Sequence, residues 1–293
     1  MNSNLHKRNY FNLPEAADLW SAVLQNKLAF AGFLILILFV LTAIFADQIA
    51  PFDPLKTTDL TLQPPSLEFL FGTDDLGRDI FSGVIYGARS SLSLGLIVTL
   101  LSAFIGILVG ATAGYAGGAW DDFLMRVTEL FLVPPRFFLA LIIVALFGST
   151  FFYLVLILSF TYWTTMARLV RAEVLSLKTR DFIQASRALG ASNTRILLHE
   201  ILPNALPLII TKMMLMVGQV IILQAGLEFI GIGDAANINW GTMLHNGQHF
   251  IRDGWWIIAF PTAALVLLVL SLNIVGDALN IFLNPQTRTA AIK

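Results

Sequence analysis

Five stretches of 15 to 31 residues contain no charged side chain, and they constrain the fold of this chain more than any other feature. A helix that crosses the hydrocarbon of a bilayer needs about 20 mostly apolar residues, whereas a membrane strand needs only about 10. Lipid offers the backbone no hydrogen-bond partners, so continuous apolar stretches are expected to be helices. The stretches are Leu28–Ala46, Ser90–Trp120, Phe137–Ala167, Met213–Leu227 and Trp255–Gly276.

The composition agrees with a membrane protein. Only 13% of the 293 residues are charged, which is too few to cover the surface of an ordinary soluble domain. The absence of cysteine excludes disulfides and cysteine-ligated metals. A net charge of −1 gives no indication of nucleic-acid binding.

The apolar stretches predict an all-α protein with six transmembrane helices. Gly148-Ser149-Thr150 divides one long stretch into two spans. The first span is too long for the apolar region of a cleaved signal peptide, so it is expected to remain as an anchor. The six predicted spans are 28–49, 92–115, 127–147, 151–171, 205–230 and 256–282.

The distribution of Lys and Arg predicts the orientation. With the N-terminus in the cytoplasm, 12 Lys and Arg residues lie inside and 4 lie outside, which favours two cytoplasmic termini. This arrangement gives a cytoplasmic segment 1–27, a transmembrane domain 28–283 and a cytoplasmic tail 284–293. The domain contains an external loop, 50–90, and a basic cytoplasmic loop, 172–204.

The cytoplasmic loop 172–204 has the pattern of a helix, a tight turn and a second helix. Apolar residues recur at helical spacing up to Leu189, and Gly190 is a natural helix stop. Ser192 or Asn193 can cap the second helix. On this pattern alone, an amphipathic pair lying on the lipid surface and a docking element for a cytoplasmic partner are both open.

Several polar side chains fall within the predicted spans. Glu129 and Arg136 flank Pro134-Pro135, a pair that is expected to kink a packed helix. Either both charged residues line a pathway, or Glu129 pairs with Arg126. Lys212 is expected to extend its ammonium group toward the membrane surface. Three further residues either line a pathway or bond neighbouring helices: Gln219, Gln224 and Glu228.

Two clusters of polar residues lie in the predicted external loops. The first either forms a local network of ion pairs and helix caps or offers a docking surface; it comprises Asp74, Asp75, Arg78 and Asp79. In the second, His245, His249 and Asp253 would share a face if that segment were helical, but a fourth metal ligand is not evident. Solvated loop residues are the expected interpretation, with no metal site.

Several motifs resemble the permeases of bacterial binding-protein-dependent importers. One stretch resembles the EAA loop of ABC importer permeases, with Gln184 and Ser186 departing from the family pattern. It is Gln184-Ala185-Ser186-Arg187-Ala188-Leu189-Gly190, followed by Ala191, Ser192 and later Ile201-Leu202-Pro203. Gly72-Thr73-Asp74 and Gly77-Arg78-Asp79 resemble the signature of the second, C-type permease of dipeptide, oligopeptide and nickel systems. Trp240-Gly241 and Asn284-Pro285 resemble later segments of the same family.

The resemblance implies the remaining parts of a transporter. It implies the type I importer fold in the bacterial inner membrane, a homologous second permease, two cytoplasmic ATPases that bind ATP and Mg²⁺, and an external substrate-binding protein. Residues 184–192 are similar to the element that couples to an ATPase. The chain has no G-x-x-x-x-G-K-[ST] motif, so no cofactor is expected on it and ATP would have to be bound elsewhere.

A peptide importer permease is the function predicted from these observations. A nickel or metal-chelate importer is the alternative within the family, because the same motifs serve both. A secondary transporter is the alternative from another class; it would need its own coupling-ion site, and no acidic pair lies at the middle of a span.

Overall fold

The computed structural model describes residues 26–234 and 237–283. In these ranges the regular secondary structure is helical, apart from one isolated bridge between Thr73 and Asp79. The predicted tail 284–293, and all but the last two residues of the predicted segment 1–27, lie outside the described residues. The helices are α1 (Lys27–Ile44), α2 (Ala46–Ile49), α3 (Ile80–Ala116), α4 (Gly118–Leu132), α5 (Arg136–Phe147), α6 (Phe151–Lys178), α7 (Asp181–Ala188), α8 (Asn193–Phe229), α9 (Trp240–Gly247) and α10 (Trp256–Leu283).

Five of these helices are long and apolar enough to cross a membrane, and α4 with α5 makes a sixth if the pair is one span. The five are α1, α3, α6, α8 and α10. The all-α, multi-span prediction is therefore confirmed. The bundle is centred on α3, α6 and α8, whose buried faces meet around Leu94, Leu158 and Met216.

The third predicted span, 127–147, is not one continuous helix. It is divided between α4 and α5, whose axes are bent by 80° at residues 133–135. Pro134 and Pro135 explain the break, because proline has no N–H to donate and the residue before a proline avoids helical geometry. A kink at this proline pair is expected from the sequence, but the apolar pattern, which continues across both prolines, does not indicate its sharpness.

The fifth predicted span begins earlier than expected. The second helix of the cytoplasmic loop and the span form a single helix, α8, which starts at Asn193 rather than at 205. A turn of wider π geometry at Ile196–Ile201 lies just before Pro203. Such a turn shifts the hydrogen-bond register, and it allows the helix to continue past a residue that lacks an N–H.

The second span also begins earlier than predicted. Helix α3 starts at Ile80, so the irregular part of the predicted loop 50–90 ends at residue 79, and this part is called the 50–79 loop below. At 37 residues, α3 is about 55 Å long. That length exceeds the roughly 30 Å of bilayer hydrocarbon, so one or both ends project beyond it.

Glycines allow α3 and α6 to approach closely. A Cβ atom added to Gly106, Gly110 or Gly114 would lie 2.5, 2.3 or 2.9 Å from the nearest atom of α6. These three residues are spaced by four and share one face of α3. Small residues at this spacing bring membrane helices together in van der Waals contact.

Candidate functional site

Helix α7 and the turn after it project from the end of α6. Ile183 is fully buried and anchors α7 against the bundle. The side-chain amide of Gln184 donates a hydrogen bond to the carbonyl of Lys178 (3.2 Å). The side chain of Lys178 in turn donates to the carbonyl of Tyr115 and lies 5.2 Å from its ring centroid. These contacts fasten the projecting helix to both α3 and α6.

Gly190 closes α7 with the turn predicted from the sequence. Its φ is +82°, and its N–H donates to the carbonyl of Arg187 (2.9 Å). The N–H of Ala191 donates to the carbonyl of Ser186 (3.1 Å). The two bonds form a Schellman motif, which glycine favours because it has no Cβ. The hydroxyl of Ser192 then accepts from the N–H of Arg195 (3.4 Å) and caps α8.

Most side chains around this turn are exposed. The side chain of Leu189 is 89% exposed, and no atom lies within 4 Å of a Cβ added to Gly190. The exposed members of this 184–192 surface are Gln184, Ala185, Arg187, Ala188, Leu189, Gly190 and Ser192, while Ser186 and Ala191 are half-buried.

The 50–79 loop is an ordered structure built around Asp74. The Asp74 carboxylate accepts from the N–H of Leu76 (2.9 Å) and the N–H of Arg78 (2.8 Å). It also forms an ion pair with the Arg78 guanidinium (2.6 Å). The carbonyl of Thr73, a buried residue, accepts from the indole N–H of Trp256 (3.1 Å), which ties the loop to α10.

Asp79 caps the start of α3. Its carboxylate accepts from both the N–H (2.8 Å) and the hydroxyl (2.6 Å) of Ser82. The same hydroxyl accepts from the N–H of Phe52 (3.2 Å). A carboxylate at a helix N-terminus also interacts favourably with the helix dipole. Asp74, Arg78 and Asp79 therefore form the local network that the sequence suggested, whatever else the loop contacts.

Asp75 is less favourably placed, and its replacement gives a testable result. Its Oδ1 is buried and has no hydrogen-bond partner among the described residues. Burial, with the nearby charge of Asp74, raises the pKa of this carboxyl. A raised pKa means that ionisation is less favourable in the folded protein, so stability falls as the pH rises through that pKa. Asp75→Asn is therefore expected to raise the Tm by a few degrees at pH 7.

The control for this prediction is Asp59→Asn, which changes an exposed carboxylate of the same loop. Melting curves of the detergent-solubilised variants, recorded from about pH 3 to pH 8, provide the measurement. The advantage of Asp75→Asn should vanish at the acid end, where the native carboxyl is itself protonated. An advantage that is independent of pH would exclude the charge as its cause.

A second network joins α2 to α3 and was missed at the level of the sequence. The Arg89 guanidinium forms a fork to Asp47 (3.0 and 2.9 Å), and the Tyr86 hydroxyl donates to the same carboxylate (2.8 Å). Arg89 and Tyr86 hold the pKa of Asp47 below its usual range. The signal was available, because Asp47 and Arg89 are the charged residues that bound the first two apolar stretches.

The residues predicted to line a pathway lie in two different environments, two of them buried and two exposed. Gln224 and Glu228 are both 2% exposed, and the Gln224 amide donates to the Glu228 carboxylate (2.9 Å). Glu228 also lines a cavity of about 230 Å³ with the Asp74–Arg78 pair of the 50–79 loop. Gln219 and Glu129, by contrast, are exposed on the surface of the isolated chain.

The histidines considered as metal ligands are placed differently from one another. The ring Nδ1 of His245 lies 2.8 Å from the carbonyl of Phe229, which is a structural contact. His249 is exposed on a short turn after α9, and Asp253 is exposed beyond it. Among the described residues, no group of three or more His, Cys, Asp or Glu side chains is arranged to hold a metal.

Arg136 was noted in the sequence, but its surroundings were not foreseeable. It is the first residue of α5, and its guanidinium donates to the hydroxyl of Thr165 on α6. The guanidinium carbon lies 4.8 Å from the ring centroid of Tyr162, in cation–π geometry. The partners are about 30 residues away along the chain, so no local pattern could have indicated them.

A helical bundle with several membrane-spanning helices, an ordered loop and a projecting helical turn is the structure of a polytopic membrane protein. Solved structures of the MetNI methionine ABC transporter share the fold, with a TM-score of 0.55 at 17% identity. The alignment covers 69% of this chain and 96% of the other. At this identity the likeness concerns the fold alone, and it confirms the predicted type I permease architecture.

Sequence comparison identifies the family. Residues 106–289 match the model of the binding-protein-dependent transport system inner membrane component, and residues 16–65 match the N-terminal TM domain of oligopeptide transport permease C. The chain belongs to the family of binding-protein-dependent transport system inner membrane components. The resemblance seen in its motifs is thereby confirmed, and the protein is a multi-pass protein of the bacterial inner membrane.

Relatives similar over nearly the whole chain are named as peptide permeases. The dipeptide transport system permease protein DppC of Bacillus subtilis is 36% identical, over 94% of this chain and 88% of the relative. The DppC protein of Alkalihalophilus pseudofirmus is 38% identical over 90% and 88%. The oligopeptide transport system permease protein OppC of Bacillus subtilis is 35% identical over 90% and 87%.

Proposed function

We propose that this chain is the C-type permease of an ATP-driven importer of dipeptides or oligopeptides. The observation that carries the proposal is the 35 to 38% identity to dipeptide and oligopeptide permeases over about nine-tenths of the chain. The nickel alternative is not favoured by these relatives. A secondary transporter is disfavoured by membership of a binding-protein-dependent family.

The complete transporter needs further chains. We infer a homologous second permease that supplies the other half of the pathway, and two cytoplasmic ATPases that bind ATP and Mg²⁺. An external substrate-binding protein would deliver the peptide. We infer that both termini lie in the cytoplasm; the bias of Lys and Arg supports this orientation, which would put the 184–192 surface on the side of the ATPases.

The proposed coupling element is the 184–192 surface. The exposed Leu189 and the small residues beside Gly190 suit close entry into a groove of an ATPase, and Arg187 offers a charge to its rim. Movement of the ATPases would reach the bundle through Ile183, which is fully buried, and through the contact of Lys178 with Tyr115. Rigid attachment at these points is what a two-state switch between outward and inward access requires.

The opposite end is the proposed site of substrate entry. The 50–79 loop, with Asp74, Asp75, Arg78 and Asp79, would contact the binding protein. Beneath it, Glu228 faces the cavity of about 230 Å³, and Gln224 orients its carboxylate. Glu129 and Gln219 are proposed to face the pathway, because exposed polar side chains in a membrane protein avoid the lipid.

The proposal is tested by purifying the tagged chain from its native membrane in mild detergent and reconstituting what is retained. Mass spectrometry should identify a second permease and one or two ATPases. In liposomes supplied with the binding protein, uptake of a labelled dipeptide should require ATP. Uptake driven by an ion gradient without ATP would point to a secondary transporter, and uptake of Ni²⁺ in place of peptide would establish the alternative within the family.

A further inference from the structure

Two cations from different helices, Arg136 of α5 and Lys212 of α8, lie within electrostatic range of each other inside the bundle. Arg136 is also held by Thr165 and Tyr162 of α6. These four residues are called the cationic cluster. It brings together three helices that are separate in sequence, at the point where Pro134 and Pro135 break the chain.

The cluster extends from the middle of the membrane toward its cytoplasmic side. At a rise of about 1.5 Å per residue, Arg136 is roughly 17 Å from the end of α5 at Phe147. Thr165 is about 21 Å from the start of α6 at Phe151, and Lys212 is about 26 Å from the end of α8 at Phe229. Against a hydrocarbon layer about 30 Å thick, these distances place Arg136 near the middle and Lys212 toward the cytoplasmic side. This distance agrees with the prediction that Lys212 lies near the cytoplasmic end of its span and extends toward the membrane surface, which stays a prediction.

The two positive charges are not neutralised within the described part of the chain. No carboxylate of residues 26–234 or 237–283 lies within 4.0 Å of either Arg136 or Lys212. Both side chains are partly exposed in the isolated chain. Charges at this depth face water or another polar group rather than lipid, so the exposed parts define a polar passage or a protein contact.

The start of α5 adds a further positive contribution. The N-terminus of this helix has no side-chain cap. The backbone N–H groups of Arg136, Phe137 and Phe138 therefore receive no hydrogen bond from a capping side chain. Unsatisfied N–H groups at a helix start carry the positive end of the helix dipole. A guanidinium, an ammonium and a helix N-terminus together are suited to an anion, and the planar fork of arginine matches the geometry of a carboxylate.

We propose that the cationic cluster binds the C-terminal carboxylate of the transported peptide as it crosses the middle of the membrane. This inference rests on the proposed function, because a peptide brings such a carboxylate and a metal cation does not. Arg136 would make the bidentate contact, with Thr165 and Tyr162 fixing its orientation, while Lys212 supplies a second charge. The two half-buried cations would then mark the wall of the pathway contributed by this chain.

The test is ATP-dependent uptake by the reconstituted importer of one labelled peptide with a free C-terminus and of the same peptide as its C-terminal amide. Each peptide is supplied at a concentration that saturates the binding protein, so the permease step determines the difference. Arg136→Gln is expected to reduce uptake of the free acid at least about tenfold, as expected when a charge-assisted hydrogen bond is lost. Uptake of the amide should change by less than about twofold.

Three further variants sharpen the result. Lys212→Gln should act in the same direction, and Arg136→Lys should restore part of the uptake of the free acid. Arg126→Gln removes an exposed cation of α4 and is the control, expected to leave the ratio of the two peptides unchanged. Equal uptake losses for acid and amide, with the second permease missing from the purified complex, would assign the cluster to a subunit contact and overturn the inference.

The remaining outcomes are also decisive. Unchanged uptake of both peptides by Arg136→Gln would overturn the inference while leaving the proposed function intact. If the unmodified importer takes up neither peptide, the proposed function itself fails, and the inference fails with it. The unmodified protein is measured before any variant, so the two failures are distinguishable.

Discussion

Replacing Gly110 with alanine is expected to lower the Tm of the protein by roughly 10 °C, which corresponds to about 3 kcal/mol. The added Cβ would lie 2.3 Å from the carbonyl oxygen of Ala167 and 2.9 Å from the Cβ of Val170. The first is a backbone atom in the middle of α6, so it cannot rotate away as a flexible side chain can. The helices would have to separate along their whole contact, and Gly110→Val should leave no folded protein.

Gly218→Ala is the matched control for this prediction. Gly218 is also a glycine in the interior of a long helix, but the nearest atom to its added Cβ is 3.7 Å away, an ordinary contact. Alanine is preferred over glycine inside a helix by roughly 0.5–1 kcal/mol, so this variant should be as stable as the original or slightly more stable. Thermal unfolding of both variants in the same detergent gives the comparison. Similar Tm values for the two would contradict the close contact of α3 with α6.

The number and position of the spans were predictable because they depend on a local quantity. A charge-free stretch of about 20 residues is strong evidence of a membrane helix. The last span, for example, is predicted at 256–282 and is observed as α10, Trp256–Leu283. The bounds differ from the prediction at 92–115, where α3 already begins at Ile80, and at 127–147 and 205–230, where prolines are involved. Pro134 and Pro135 bend the chain by 80°, more sharply than a kink within one span, whereas the helix that the π turn precedes continues through Pro203.

Contacts between helices were beyond the reach of the sequence. The spacing of Gly106, Gly110 and Gly114 is visible in the sequence, but it does not indicate which helix packs there. The environment of Arg136 depends on two residues of α6 and one of α8, brought together only by the bend at 133–135. By contrast, Gly190 was correctly predicted as the stop of α7, because a Schellman turn is determined by neighbouring residues.

Gly190→Asp is expected to reduce peptide-stimulated ATP hydrolysis of the assembled importer at least about tenfold, the effect of losing roughly 1.4 kcal/mol or more of contact. No atom of this chain lies within 4 Å of the added Cβ, so aspartate does not clash within the permease itself. The φ of +82° imposes a backbone cost of about 1 kcal/mol, which is too small to unfold the bundle. The loss would arise because the proposed partner ATPase, when it closes over the 184–192 surface, would bury the unpaired charge of the aspartate.

Gly148→Asp separates this effect from simple backbone strain. Gly148 also has a positive φ, +96°, and its added Cβ would have only Tyr153 at 4.0 Å, but it lies at the other end of α6 from the 184–192 surface. With a ψ of 171°, Gly148 lies in a backbone region open essentially to glycine alone, so Gly148→Asp pays the larger conformational cost, and its Tm should be no higher than that of Gly190→Asp. If strain in the turn were the cause, the two variants would lose stimulated hydrolysis together. If Gly190→Asp alone loses it, while basal hydrolysis and the second permease are retained, the turn transmits the movement of the ATPase to the bundle.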